Sequence, residues 1–163
     1  MAFSDYTTPD SVRSVLGISA KEISDAKIAD TVYLTTMLEA LYALAPTLSA
    51  DFTTARSANP RTAHQTRFVL LVETFCSYTV AHALIPNLPM AAPQIITDGK
   101  TAINRVANPY EHLREPLQAS LAYFKVNLMA AYSDVNPAIL KQDKLKRTLV
   151  RAAAMPFDPV TGA

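Results

Sequence analysis

The amino-acid sequence predicts a mainly α-helical protein, a small helical bundle with a short β-hairpin or extended loop and an extended C-terminal arm. Half of its 163 residues are apolar, only three are Gly and none is Trp. This composition favours helices over a β-sandwich or barrel. The length suits one domain with a sizeable core. We therefore predict a helical domain over residues 1–134 and an arm over residues 135–163.

The first helix is predicted between Thr8 and Gly17. Thr8 is a suitable N-cap, and Pro9 is tolerated in the first turn. Gly17 can adopt the left-handed conformation that ends a helix, so that Ile18 packs back on it. The apolar positions of this helix are Val12, Val15 and Leu16.

A longer helix of about five turns is predicted to follow and to end at Pro46. Two caps precede it: Ser19 with Glu22 can form a capping box that opens a short helical turn, and Ser24 or Asp25 can cap the long helix. Its predicted apolar positions are Ile28, Val32, Leu34, Met37, Leu38, Leu41 and Ala45, with Tyr33, Tyr42 and Leu44 on its flanks. Residues 47–58, rich in Thr, Ser, Ala and Asp, predict a surface loop with at most one helical turn.

The stretch Asn59 to Ile85 predicts a central helix. Asn59 can cap its first turn, and Pro60 suits the position after such a cap. Apolar side chains recur at helical spacing and extend beyond a single stripe, so we expect neighbours on several sides. They are Phe68, Leu71, Val72, Phe75, Thr79, His82 and Ala83, widened by Val69, Leu70, Val80 and Leu84.

Residues 86–106 predict a proline-rich turn followed by a β-hairpin or an extended arm. Prolines in 86–93 cannot donate to a helix or to a central strand. Asp98 and Gly99 form a common two-residue hairpin turn between β-branched segments.

A last long helix is predicted after Asn108 and Pro109, which repeat the cap chemistry of the central helix. Pro116 either kinks this helix, or a short turn ends at Glu115 and a new helix begins. One face carries Leu113, Leu117, Leu121, Phe124 and Leu128.

The candidate partner-binding residues lie in the arm. Residues 137–154 can form a basic helix, and residues 155–163, with two prolines, are expected to be extended. The predicted binding residues are Lys141, Lys144, Lys146, Arg147, Arg151, Met155 and Phe157. Three interpretations of the basic run are open: a solvated helical face, docking into an acidic site on another protein, which we favour, or weak, salt-dependent contact with phosphates.

Charge and reactive side chains exclude several classes of function. The net charge is +1, too small for bulk nucleic-acid binding, although the acids concentrate in the first third and the bases in the last fifth. A single cysteine excludes an internal disulfide framework, and without a signal leader we expect intracellular folding. Charged residues interrupt the central apolar run, so we predict no membrane segment.

No catalytic, metal-binding or cofactor-binding residue is predicted. The three histidines lack the spacing that puts two ligands on one helix face. Cys76 and His82 point in different directions on the central helix, which favours core packing over a nucleophile and base pair. The triplet from Gly99 to Thr101 lacks the upstream glycine of a phosphate loop, where Gln94 stands instead.

The order of these segments resembles that of the head–tail connector proteins, or adaptors, of tailed bacteriophages. The resemblance covers about residues 7–132 and rests on a short capped helix ending in VLGIS, a long helix, a Thr-rich loop, the apolar helix RFVLLVETFCSYTVAHALIPNLPM, the ITDGK turn, the ANPYEHLREPL helix start and a basic tail. It departs from the family in the length and charge of its tail and in Pro116.

The resemblance implies a structural virion protein without enzymatic activity or cofactor. Such proteins form a ring, commonly a dodecamer, beneath the portal protein, between head and tail in the neck of the virion. The implied partners are the portal, neighbouring copies of the chain and the next neck or tail protein, with genomic DNA passing through the channel without sequence-specific binding. The chain would be made in the host cytoplasm, with no membrane partner, and its arm over residues 137–163 would reach the portal or a neighbouring subunit.

Two other classes stay open. A small helical nucleic-acid-binding protein would use residues 141–151. An enzyme would need a pocket behind the loop 86–93, for which the sequence supplies no convergent polar set.

Overall fold

The computed structural model describes residues 2–88 and 110–137 with their side chains, and the backbone of residues 95–97 and 102–104. Its six α-helices within these ranges make the protein mainly α, as the sequence predicted. They are α1 (Pro9–Leu16), α2 (Asp25–Ile28), α3 (Thr31–Leu44), α4 (Leu48–Ser57), α5 (Ala63–Leu84) and α6 (Arg114–Val135). Short 3-10 turns cover Phe3–Asp5, Ile85–Asn87 and Glu111–Leu113.

Two three-residue strands, β1 (Ile95–Thr97) and β2 (Ala102–Asn104), pair antiparallel. Ile96 lies opposite Ile103 in their register. The turn at Asp98 and Gly99 lies outside the described residues, so the hairpin as a whole stays a prediction. The same holds for the cap at Asn108 and Pro109 and for the arm beyond Pro137.

Helix α1 begins and ends as its sequence predicts. Thr8 Oγ1 accepts a hydrogen bond from the Ser11 N–H at 3.2 Å. Gly17 has a φ of 67°, the left-handed conformation in which a side chain would be strained. The Ile18 N–H then donates to the Arg13 carbonyl at 3.2 Å, and Ile18 packs against the core.

The predicted start of the second long helix is wrong. The chain forms the separate short helix α2, and α3 begins only at Thr31, where the Asp30 carboxylate accepts from the Val32 N–H at 3.1 Å. The predicted face is otherwise confirmed, since Met37 and Leu41 are buried and Leu34 packs against the core. Val32, assigned to the core, is 66% exposed, whereas Tyr33, assigned to a flank, is buried.

The surface loop predicted over residues 47–58 is also wrong, because helix α4 occupies that stretch. Leu48, Phe52 and Ala55 lie at helical spacing and are buried. The Phe52 ring stacks on Tyr6, with 5.1 Å between ring centroids. Exposed hydroxyls of the same helix, such as Thr53, donate to carbonyls one turn earlier. The polar composition therefore describes the outer face of a helix and not a loop.

Helix α5 is the central helix, as predicted, and packs against α1, α3, α4 and α6. Its predicted start is wrong. Thr62, and not Asn59, is the N-cap: Thr62 Oγ1 accepts from the Gln65 N–H at 3.2 Å, and Gln65 Oε1 accepts from the Thr62 N–H at 2.9 Å. This reciprocal pair is a capping box, which satisfies two N–H groups where Asn59 could satisfy one.

Helix α6 runs antiparallel to α5. Tyr132 near its end stacks on Phe68 near the start of α5, and Phe124 in its middle contacts Tyr78. The predicted apolar face is confirmed, since Leu117 and Leu128 are buried and the others pack against the core. Pro116 falls in the first turn of α6, where an N–H has no intrahelical partner, so it does not interrupt the helix. A short turn does precede the helix, as one of the two alternatives predicted, but it ends at Leu113 and not at Glu115.

The segment Ala63–Asn87 is long and apolar enough to cross a membrane, with a mean hydropathy of 1.7. Within the described structure 61% of this apolar window is buried. The core helix of a bundle can have the same length and composition, so these two properties do not distinguish a membrane-spanning helix from a core helix.

Candidate functional site

The predicted partner-binding residues lie outside the residues that the structure describes. They are Lys141, Lys144, Lys146, Arg147, Arg151, Met155 and Phe157. The described chain ends at Pro137, just beyond α6, and Asp134 in the last turn of that helix lies 3.9 Å from the Arg67 guanidinium of α5. The arm therefore starts beside the first turns of α5.

A groove of about 680 Å³ opens between α5 and α6 at this same end of the bundle. Its lining residues are Arg61, Ala63, Thr66, Arg67, Leu70, Leu71, Tyr123, Phe124 and Asn127. Leu70 is 58% exposed and Tyr123 is 65% exposed, although both are large apolar side chains. Val126, one turn along α6 from Tyr123, is 70% exposed. Exposed apolar side chains grouped in this way mark surfaces that bind other molecules.

Aromatic packing fixes the wall of this groove. The Phe124 ring lies 4.8 Å from the Tyr78 ring of α5 and 5.5 Å from the Tyr123 ring, measured between centroids. Edge-to-face and tilted contacts of this kind hold a ring in one orientation. The half-buried Phe124 ring is therefore held in one orientation beneath the exposed Tyr123 ring.

Two cations flank the groove, and none of its described lining residues is acidic. The Arg61 guanidinium donates to the Arg56 carbonyl, with its Nε at 3.1 Å. Arg67 is 55% exposed on its side chain, and its 3.9 Å separation from Asp134 is longer than a hydrogen bond. His64 lies 3.7 Å from the same carboxylate. The arrangement suits a ligand that is apolar along its length and carries a carboxylate.

A polar network closes the bundle next to this end. The Tyr132 hydroxyl donates to Asp51 Oδ2 at 2.5 Å and lies 2.8 Å from Thr47 Oγ1. Asn136 Nδ2 donates to the same Asp51 oxygen at 3.0 Å. Burial, and next the bond to Asp51, raise the pKa of the Tyr132 phenol. These contacts join α4 to the end of α6.

A second pocket, of about 480 Å³, lies between the N-terminal segment, α1 and α5 and is lined largely by hydroxyl groups. Ser77 Oγ donates to the Glu73 carbonyl at 2.8 Å and lies 2.7 Å from Thr7 Oγ1. Hydroxyls bonded to one another and to the backbone stabilise the packing of the N-terminal segment on α5.

The reactive side chains weighed in the sequence fall in structural positions. Cys76 is buried in the core, as predicted, and burial, with a smaller effect from Glu73, raises the pKa of its thiol well above the ordinary range. His82 is half-buried at the end of α5, and its Nε2 has no hydrogen-bond partner among the residues that the structure describes. Among the described residues no three His, Cys, Asp or Glu side chains are grouped to hold a metal ion.

The sequence reasoning missed the groove, although it contained a signal for it. Tyr123 and Val126 are large apolar residues that fall off the apolar stripe of α6, and Leu70 falls off the main stripe of α5. Such off-stripe residues are expected at an interface and not in a core. Leu70 of α5 and Tyr123 of α6 lie together only because the two helices pack antiparallel, and the sequence pattern does not predict that pairing.

The chain matches no known protein family, no curated protein and no solved structure. The fold and the site define only a class of structure, a helical bundle with an apolar groove flanked by two cations. The functional assignment therefore depends on surface chemistry and on the order of the elements.

Proposed function

We propose that this chain is a structural virion protein, a head–tail connector that forms a ring beneath the portal and joins the head to the tail. In this role it extends the channel through which the genomic DNA passes, and it performs no reaction. Its place is the neck of the virion, after synthesis in the host cytoplasm. The observation that carries the proposal is the exposed apolar groove beside the point where a basic arm leaves the bundle.

Separate surfaces for neighbouring copies support this assignment. A ring forms when one patch on each copy binds a different patch on the next and the rotation closes. The arm supplies cations, while exposed carboxylates such as Asp30, the N-cap of α3, and Glu39 within α3 supply opposite charge. The hairpin over residues 94–106 and the extended arm over residues 135–163 belong to the same proposal, as the parts that reach the portal or the next neck or tail protein.

The test is a measurement of mass by light scattering, with and without the portal ring of the same virus. We expect the full chain to co-elute with the portal as a ring. Replacement of the five arm cations by Gln should weaken this association strongly, because they dock on acidic surface. Replacement of the exposed Lys21 and Lys27 by Gln removes charge elsewhere and serves as the control. A chain that stays monomeric on its portal would contradict the proposal.

A second candidate function is binding of nucleic acid by the basic run 141–151. Its five cations could contact phosphates, and the affinity would fall steeply with salt. Titration of a labelled duplex at moderate salt separates the two functions. The connector predicts no specific affinity, whereas a regulator would prefer one sequence.

A further inference from the structure

We propose that the groove between α5 and α6 binds residues 155–160 of a second copy of this chain. Phe157 would occupy the apolar part between Leu70 and Tyr123, and the Asp158 carboxylate would pair with Arg67. This inference deepens the proposed function and rests on its self-assembly, because it names the surface through which neighbouring copies make contact.

The groove requires an occupant with both apolar and anionic character. Leu70 and Tyr123 are exposed over more than half of their surface, so covering them gains free energy in proportion to the apolar area removed from water. Arg67 presents a planar set of donors that matches a carboxylate. An ordinary basic or polar segment would leave one of these features unused.

The segment Met155–Val160 has this combination. Its sequence MPFDPV places three apolar side chains around the single carboxylate of Asp158. Pro156 and Pro159 restrict the free chain, which lowers the conformational entropy lost when it binds. The preceding run 141–151 is excluded as the occupant by like charge, since it would bring five cations toward Arg61 and Arg67.

Geometry favours a second copy over the chain's own tail. The arm leaves the bundle next to Arg67, because Asp134 lies 3.9 Å from that residue. The helix predicted over residues 137–154 would be about 27 Å long. The four residues from 155 to 158 then span at most about 14 Å. Asp158 therefore falls short of Arg67 in its own copy but can reach the groove of a neighbour.

The first test uses a fluorescent peptide of residues 152–163 and the full chain carrying Phe157→Ala and Asp158→Ala, so that its own tails do not compete. We expect saturable binding that weakens at least tenfold when the chain also carries Arg67→Glu, or when the peptide carries Phe157→Ala. Lys125→Glu is the matched control, because Lys125 is an exposed cation on α6 that does not line the groove. Leu70→Ser tests the apolar part without a change of charge.

Circular dichroism checks that each variant remains folded, which the exposure of Arg67 and Leu70 leads us to expect. Equal binding to the Arg67→Glu and unmodified chains would overturn the proposal. Equal weakening by Lys125→Glu would also overturn it, because it would show that only the overall charge matters.

The second test mixes two full-length variants. The Arg67→Glu chain has an intact tail and a disabled groove, whereas a chain carrying Phe157→Ala and Asp158→Ala has an intact groove and a disabled tail, so each alone should be monomeric by light scattering. An equimolar mixture should form heterodimers, since one intact groove meets one intact tail. If each variant stays monomeric in the mixture, the tail does not bind a second copy and the proposal fails.

These outcomes are separable from those of the proposed function. Peptide binding to the groove with no association with the portal would leave this inference standing and remove the connector role. If the chain associates with the portal equally well with and without Arg67→Glu, and the groove does not bind the peptide, the connector role would stand and this inference would fail.

Discussion

Tyr132 joins two helices through one buried hydroxyl. Tyr132→Phe keeps the stack on Phe68 but removes the bond to Asp51, which would be left with the Asn136 donor. Hydrogen bonds to charged groups stabilise a fold by about 1.5–3 kcal/mol. We expect the free energy of unfolding in urea to fall by about 2 kcal/mol. Tyr42→Phe is the control, since Tyr42 is 62% exposed, and an equal loss there would contradict this role for the Tyr132 hydroxyl.

Alkaline pH should destabilise the fold through Cys76 and Tyr132. Burial first, with Glu73 or Asp51 adding to it, raises the pKa of the thiol above 9.0 and that of the phenol above 10.0. The unfolded chain loses these protons at their ordinary pKa, whereas the folded chain retains them. Their contribution is therefore complete below about pH 9; its loss begins near pH 9 for the thiol and near pH 10 for the phenol, and continues until the pH passes the raised pKa of each folded group.

Urea midpoints measured from pH 7 to pH 11 check this dependence. We expect a decline that begins near pH 9 in the natural chain. In Cys76→Ala the decline should begin later, near pH 10, because only the Tyr132 phenol then contributes. An identical profile in both chains would show that the thiol is not held protonated by the fold.

At the scale of the element, two substitutions test which residue, Thr62 or Asn59, caps the first turn of α5. Thr62→Ala removes the side chain that accepts from the Gln65 N–H, and we expect a loss of about 1 kcal/mol. Asn59→Ala lies before the helix and should change the free energy of unfolding by less than about 0.5 kcal/mol. Thermal and urea unfolding of the two variants compare them directly. A larger loss for Asn59→Ala would restore the cap that the sequence first suggested.

Helix α4 gives the second element-scale prediction. Phe52 is 1% exposed and stacks on Tyr6, so Phe52→Ala should cost about 3–5 kcal/mol. Thr53→Ala, its exposed neighbour, should stay within about 0.5 kcal/mol. A surface loop would show small losses at both positions. Urea denaturation therefore separates the helix from the loop.

The elements that could be predicted from sequence carry their own local signals. Thr8 and Gly17 cap α1 by chemistry that involves only neighbouring residues, and the apolar stripe of α6 is visible in its period. The break before Thr31 and the helix α4 were missed for the opposite reason. Nothing in the local sequence marks Asp30 as a helix cap and not as an ordinary exposed acid. The Thr and Ser residues of α4 are polar because they face outward, while Leu48 and Phe52 supply its core contacts.

At the scale of the whole molecule, the sequence could predict a bundle around a central helix but not its groove. The groove needs Leu70 from α5 and Tyr123 from α6 at one place, and their meeting depends on the antiparallel pairing of helices that are far apart in sequence. The positive charge of residues 141–151, by contrast, is read directly from the sequence. The charge of the tail can thus be read from the sequence alone, whereas the groove requires the tertiary structure.

Removal of residues 138–163 tests whether the arm is separate from the bundle. The core residues that the structure describes, from Phe3 to Tyr132, all precede the cut, and Asn136 keeps its bond to Asp51. We expect the shortened chain to unfold cooperatively within a few degrees of the full chain, because no core contact described here is lost. The same chain should not associate with the portal ring, since the cations and apolar anchors of the arm are gone. Calorimetry and light scattering measure the two properties on one sample. Association that survives the cut would place the portal contact on the bundle itself, and a broad, early unfolding transition would mean that the arm is part of the fold.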